Sequence, residues 1–217
     1  MDREITILGA GTYCAAMIDL AFECGYQVSG IYDDNPEKIG SQILGINVVG
    51  SISQILNSDY AGGKFLIAIG NNMVRRKIAE EIRSQKGQTP SLIHPTAVIS
   101  KFSNIGLGVY IQPHVVVWTC VTIEDDCIIS PNVVIAHHST LRKGCLVSTS
   151  SAIGANIEIR QEAFLGMSCN ITTGVEYVGE NALVGAGTVV IKNIESNTVV
   201  AGVPAKVIRK KGSAYVE

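Results

Sequence analysis

Ile93-His94-Pro95-Thr96-Ala97-Val98-Ile99-Ser100-Lys101-Phe102-Ser103-Asn104-Ile105-Gly106-Leu107-Gly108-Val109-Tyr110-Ile111 carries an isoleucine at every sixth position, and the step does not stop there. From Ile111 it runs through Val117, Ile123, Ile129, Ile135, Leu141, Val147, Ile153, Ile159, Leu165 and Ile171, each Ile, Leu or Val. These three types make up roughly 0.3 of the chain, so chance gives such a run a probability on the order of 10⁻⁸ before choice of frame. One residue is inserted around Tyr177, where a local bulge or loop is expected, and the step resumes at Val178, Val184 and Val190. Neither the helical period nor the period of a flat strand produces this pattern. An aliphatic residue with small residues four places on (Ala97, Ser103, Val109, Cys127, Ser139, Cys145, Ser151, Ala163, Cys169) fits a parallel β-helix. Three hexapeptides make a triangular coil, the aliphatic side chain points inward, and Gly, Asn or Ser absorbs each corner. About five coils at ordinary strand spacing give a prism on the order of 25 Å tall.

Upstream, the period changes. Ile5-Thr6-Ile7-Leu8 reads as a strand ending in Gly9-Ala10-Gly11, and Tyr13 to Glu23 as a helix with apolar residues at helix spacing, stopped by Gly25. Gln27 to Tyr32 is a second strand closed by the turn signal Asp33-Asp34-Asn35-Pro36. Ile52 to Leu56 reads as a short helix, Phe65 to Ile69 as a third strand, and Gly70-Asn71-Asn72 opens a helix through Arg83. Strands alternating with helices predict a Rossmann-like parallel sheet whose ligand crevice lies at the carboxyl ends of its strands. The expected organisation is therefore α/β plus β: a small domain over 1–90 and a β-helix domain over 91–217.

The chain has 217 residues, 47% hydrophobic and 17% charged, which predicts a folded protein rather than a disordered one. A formal net charge of −2 removes the broad attraction that nucleic-acid binders use, so no nucleic acid is expected as partner. No apolar run is long enough to span a bilayer, and Met1-Asp2-Arg3-Glu4 leads into a strand, so the expectation is a soluble cytoplasmic protein without a membrane partner. The six cysteines (Cys14, Cys24, Cys120, Cys127, Cys145, Cys169) lack metal-site and redox-motif spacing. They read as small buried fillers, and no metal is expected.

The hexapeptides of Ile93 to Ile208 resemble those of the left-handed β-helix acyltransferases, and Val199-Val200-Ala201-Gly202-Val203-Pro204-Ala205-Lys206-Val207 is similar to the closing motif of that superfamily. More narrowly, Ile7-Leu8-Gly9-Ala10-Gly11, Tyr32-Asp33-Asp34-Asn35-Pro36 and Ala68-Ile69-Gly70-Asn71 resemble the hexapeptide-repeat sugar acetyltransferases of bacillosamine and sialic-acid synthesis. Acyl transfer from coenzyme A needs a base for the acceptor proton, a donor for the tetrahedral oxyanion and a slot for the pantetheine arm. Of the histidines, His94 lies at the domain junction and reads as structural, and His114 has no neighbour that marks it. His137-His138 stands outside the aliphatic position, so at least one imidazole is expected to face a groove. The resemblance makes His137 the general base. Where the family has an adjoining carboxylate this chain has His138, which as a neutral imidazole can orient His137 only by a hydrogen bond.

The resemblance also assigns coenzyme A contacts. Leu146 replaces a frequent His near the thioester, the Ala155 N–H matches the oxyanion donor, Met167 an apolar wall, and Gly185 a close backbone approach. Lys206, in a basic cluster with Arg209, Lys210 and Lys211, is placed to meet the phosphates. Upstream, Gly9-x-Gly11 and Asp33 form a weak dinucleotide fingerprint, because Cys14 stands where the third glycine belongs. The segment has room for one mononucleotide-sized half. In the resembling enzymes it holds a nucleotide-linked sugar, at positions matching Gly9, Gly11, Thr12, Tyr13, Asp33, Asp34, Gly70 and Asn71; a tight turn with a helix cap is the bland alternative. The implied function is acetyl-CoA-dependent N-acetylation of a nucleotide-linked amino sugar for a surface glycan such as lipopolysaccharide or capsule, by a homotrimer with sites between prisms. Alternatives are a sialic-acid-type O-acetyltransferase and a noncatalytic sugar-binding β-helix; an NAD-linked activity is the poorest.

Overall fold

The computed structural model describes residues 3–212, so Met1 and Asp2 of the N-terminal reading lie outside the described residues. The chain divides into two units after Pro95. That division lies close to the boundary expected at residue 90, and Cys24 Sγ donates to the Ile93 carbonyl at 3.3 Å.

In the first unit β1 (Glu4–Leu8) buries Ile5, Ile7 and Leu8, and α1 (Cys14–Glu23) buries Cys14, Met17, Ile18, Leu20 and Ala21; of the apolar residues read at helix spacing, Met17, Leu20 and Ala21 face inward and Ala16 is exposed. The chain turns back through Gly25, whose φ of 76° suits glycine. β2 (Gln27–Tyr32) follows, then a hairpin of β3 (Gln42–Ile43) and β4 (Ile46–Gly50), α2 (Ile52–Leu56), β5 (Phe65–Ile67) and α3 (Asn72–Ser84). The sheet order is β3-β4-β2-β1-β5, parallel except for the β3–β4 pair. That hairpin is absent from the sequence reading. Its turn puts Leu44 at φ 48° beside Gly45 at 79°, and a leucine in the left-handed region is not a turn signature. α2 begins with a capping box, the Ser51 side chain on the Gln54 N–H and the Gln54 side chain on the Ser51 N–H.

The second unit is a left-handed parallel β-helix of three sheets. The first face stacks Val98–Ile99, Val116–Val117, Val134–Ile135, Ala152–Ile153, Asn170–Ile171 and Val189–Val190. The second stacks Asn104–Ile105, Thr122–Ile123, Thr140–Leu141, Glu158–Ile159 and Tyr177–Val178; the third includes Tyr110–Ile111, Ile128–Ile129, Leu146–Val147, Phe164–Leu165 and Leu183–Val184. Pairing is in register at eighteen-residue intervals before the insertion, as in Val117 with Ile135 and Ile135 with Ile153, and at nineteen across it, as in Ile159 with Val178. The six-step residues from Ile111 to Val190 and the small residues Val109, Cys127, Cys145, Ala163 and Cys169 fill one shared core, and Ser139 and Ser151 are buried as well. Corners recur where φ is positive: His114, Cys120, Asp126, Asn132, His138, Ser150, Asn156, Glu162 and Ser168 all lie near 60°. Each costs a non-glycine residue on the order of 1 kcal/mol, offset by coil stacking on both sides. The inserted residue sits just before Tyr177, where Gly174 reaches φ 103° and Thr173 bridges Val175. Thr198–Ala201 extends the third face and Lys206–Lys210 closes it as an antiparallel strand.

The cysteine reading needs correction. Cys14, Cys127, Cys145 and Cys169 are buried, and burial beside Asp33 pushes the Cys14 thiol up to about 11. Cys24 is only half-buried and Cys120 is exposed, because Cys120 occupies a left-handed corner rather than an inward position.

Candidate active site

Two groups of residues emerge, one in each unit. In the first unit the carboxyl ends of β1, β2 and β5 open onto a cavity of about 440 Å³. Gly9, Gly11, Thr12, Tyr13, Asp33, Asp34 and Gly70 line it, as the sequence placed them, together with Lys38, Ile52, Ala68 and Ile69. Gly9, at φ 106°, must be glycine: a Cβ there would stand 2.9 Å from Ile69 Cγ1 and 3.0 Å from the Ala68 oxygen. Gly11 opens onto free space, and α1 begins without a side-chain cap, its first N–H, of Cys14, donating to the Gly11 carbonyl at 3.0 Å. Such a helix start favours an anion.

Asp33 pins the turns. Its Oδ2 accepts from the Ala10 N–H at 2.6 Å and from Lys38 Nζ at 3.1 Å, and its Oδ1 from the Asn35 N–H at 2.9 Å. Burial opposes its charge, but these three donors outweigh burial and hold its carboxyl below the usual range. Its contribution to stability is therefore full at neutral pH and is lost as pH falls through the depressed value. Asp34 lines the cavity while its Oδ1 accepts from the Ser53 N–H and Oγ at the start of α2. Asn71 does not reach the cavity lining: its side chain accepts from the Val74 N–H at 3.1 Å and caps α3, so the cap reading holds for this residue. Lys38 is the cavity's cation that the sequence reading missed, hidden in a short turn after Pro36 that gave no motif.

In the second unit the edge between the first and second faces stacks one tripeptide per coil: Trp118-Thr119-Cys120, Ala136-His137-His138, Gly154-Ala155-Asn156, Thr172-Thr173-Gly174 and Ile191-Lys192-Asn193. Backbone bonds link the rungs, His138 N–H to the Thr119 oxygen at 3.2 Å and Asn156 N–H to the His137 oxygen at 3.1 Å. His137 is half-buried and His138 exposed, so both imidazoles lie outside the prism. Their Nδ1 atoms are 3.0 Å apart, with ring centroids at 5.1 Å and planes at 86°. One hydrogen lies between the two nitrogens. With it on His137, His138 accepts and the His137 Nε2 lone pair is free to take a proton; the opposite arrangement abolishes the base. Trp118 flanks His137 at 6.2 Å between ring centroids, with nearly half its surface exposed.

One rung below, Ala155 is buried and its N–H donates to Thr173 Oγ1 at 3.2 Å. That donor is already engaged in the chain itself. At the far end of the same edge a cavity of about 210 Å³ is lined by Ile191, Lys192, Ile194, Pro204, Ala205 and Lys206. Two cations around an apolar floor suit a phosphate-bearing nucleoside, and the rungs from Lys192 to His137 span about 14 Å at strand spacing, room for an extended pantetheine arm. Lys192 also escaped the sequence reading, because the inserted residue shifts its register.

Other expected contacts lie elsewhere. Met167, exposed, and Gly185 occupy the edge between the third and first faces, and Leu146, buried, lies on the third face. Gly185 is constrained by packing, since a Cβ would stand 3.1 Å from Ala201 Cβ. A single prism therefore does not bring His137 together with Met167 and Gly185. Among the described residues no group of three His, Cys, Asp or Glu could hold a metal, and no helix is long and apolar enough to cross a membrane.

Residues 4–82 match the PglD N-terminal domain family, and residues 87–200 belong to the GMPPB C-terminal domain family. PerB from Caulobacter crescentus, solved in complex with CoA and GDP-perosamine, superposes with a TM-score of 0.87 at 30% identity, covering 95% of this chain and 97% of PerB. The acetyltransferase domain of PglB from Neisseria gonorrhoeae gives a TM-score of 0.88 at 27% identity, with 95% and 100% covered. UDP-N-acetylbacillosamine N-acetyltransferase of Bacillus subtilis is 48% identical over 48 residues, 22% of each chain. The segments matched in the curated relatives make up 21–52% of those proteins' lengths. With a shared architecture and 30% identity across nearly the whole of both chains, this protein belongs to the hexapeptide-repeat sugar acetyltransferase family.

Proposed function

We propose that the protein transfers an acetyl group from acetyl-CoA to the amine of a nucleotide-linked amino sugar. The observation that carries this reading is the single edge of the β-helix, which runs from the Lys192–Lys206 cavity to the His137–His138 pair. Lys192 and Lys206 hold the phosphates of the donor, and the apolar floor receives its adenosine. Acetyl-CoA supplies the activated acyl carbon; the chain supplies orientation and proton transfer. His137, its Nδ1–H fixed on His138, takes the amine proton at Nε2 as the nitrogen bonds to the acyl carbon. The proton leaves with the thiolate as free thiol, and no covalent enzyme intermediate is needed.

The cavity of the first unit takes the nucleotide. The uncapped start of α1 and Lys38 meet the phosphates, and Ile52 and Ile69 supply apolar wall. The separation of Met167 and Gly185 from His137 on one prism supports a homotrimer, in which the His137 edge of one copy faces the Met167 edge of the next. A cytoplasmic enzyme serving surface-glycan synthesis fits this chemistry.

The test is thiol release from acetyl-CoA across UDP-, dTDP- and GDP-linked sugars bearing either an amine or a hydroxyl at the acceptor carbon. Release with amino sugars alone is expected. Release with hydroxy sugars would assign O-acetylation, and binding of sugar with no release would assign a noncatalytic protein.

A further inference from the structure

The acyl-transfer reading needs a hydrogen-bond donor for the acyl oxygen, and the Ala155 N–H expected to serve is held by Thr173 Oγ1 at 3.2 Å. We infer that the Thr173 hydroxyl itself is that donor, polarised from behind by the Ala155 N–H. An N–H gives one hydrogen, and here it is spent on the threonine oxygen. The hydroxyl keeps its own hydrogen, for which no acceptor lies within reach among the described residues. Thr173 is exposed on the edge that carries His137, so that hydrogen is offered outward.

The local backbone is arranged for this contact. Thr173 stands in the coil with the inserted residue, between the β-helix strand ending at Ile171 and Gly174 at φ 103°. Residue 154 is glycine, and a Cβ there would stand 2.5 Å from the Thr173 nitrogen and 2.8 Å from Oγ1. Gly154 thus lets the threonine come in against Ala155, and the hydroxyl reaches back to the Ala155 level, one rung from His137.

A chain of N–H to O–H to acyl oxygen is cooperative, each bond strengthening the next, and it strengthens further as the oxygen gains negative charge. Thr173 transfers no proton in the step. As the amine nitrogen bonds to the acyl carbon, the carbonyl π pair moves onto oxygen, held by the hydroxyl. It then returns to expel the thiolate, while the amine proton travels through His137 to sulfur.

This inference rests on the acyl-transfer reading, and the experiment separates the two. Calorimetry of the full chain with acetyl-CoA and with CoA, without acceptor, is run beside steady-state turnover for wild type, Thr173→Val, Thr173→Ser and His137→Ala. Thr173→Val is expected to lose about tenfold of the preference for acetyl-CoA over CoA, and about 10- to 100-fold in kcat with the sugar KM unchanged. Thr173→Ser restores both, and His137→Ala loses turnover but keeps the acetyl preference. Wild-type binding preference and kcat in Thr173→Val, or a serine variant as impaired as the valine, would overturn the inference. Wild type that turns over no amine, with an acetyl preference still lost in Thr173→Val, would overturn the acyl-transfer reading and leave the hydroxyl contact standing.

Discussion

His138 is where this chain departs from the carboxylate-assisted base of the enzymes it resembles, and the geometry states the consequence. The Nδ1 atoms at 3.0 Å share one hydrogen, so His138 orients His137 through that bond but offers no negative charge to a His137 imidazolium. Replacing His138 by glutamate supplies that charge, and the corner tolerates it, since Glu162 holds the same left-handed conformation at φ 59°. His138→Glu is expected to raise kcat about 3- to 10-fold and to move the acid limb of the kcat/KM profile to higher pH, because a stabilised imidazolium is a weaker acid. An unchanged pH–rate profile would mean that residue 138 does not touch the base. The pairing of these two histidines follows directly from their adjacency in sequence. The engagement of the Ala155 N–H does not, because Thr173 meets it only through an eighteen-residue stacking interval with a hydroxyl that no motif marks.

The rungs of the second unit from Val98–Ile99 to Val189–Val190 are two-residue strands, and each is stable only through its neighbours above and below. Hexapeptide spacing made this legible: every inward residue from Ile111 to Val190 lies in one core, as the period requires. The corners were harder, since His, Cys, Asp and Glu stand where Gly, Asn and Ser were expected; coil stacking overrides the local preference. In the first unit the parallel strands and helices were readable from punctuation by glycine and asparagine, whereas the β3–β4 hairpin was hidden by a leucine at its turn. Neighbouring positions on one strand give a direct check of the period. Leu141→Ala, fully buried, is expected to cost about 2–5 kcal/mol in denaturant unfolding. Thr140→Ala, facing outward beside it, is expected to stay within about 0.5 kcal/mol. Equal costs would contradict the inward–outward assignment.

At the scale of the whole molecule the first face of the prism carries Val98 and Val134 outward, exposed on consecutive odd rungs of a ladder that also holds Val116. The same face is bounded by the two edges that divide the candidate residues, His137 on one side and Met167 with Gly185 on the other. In the proposed homotrimer these two edges face one another. Light scattering is expected to give a trimer at micromolar concentration, and Val134→Glu, which places a charge on the apolar ladder, is expected to shift it toward monomer with a parallel loss of turnover. A fully active monomer would remove the shared site.

Proton acceptance by His137 is the central step of the proposed transfer. Wild type and His137→Ala are to be compared for thiol release from acetyl-CoA with a nucleotide-linked amino sugar, alongside calorimetric binding of that sugar. Loss of about 10²- to 10⁴-fold in kcat with sugar affinity unchanged is the predicted result. An alanine variant that turns over at the wild-type rate would contradict it.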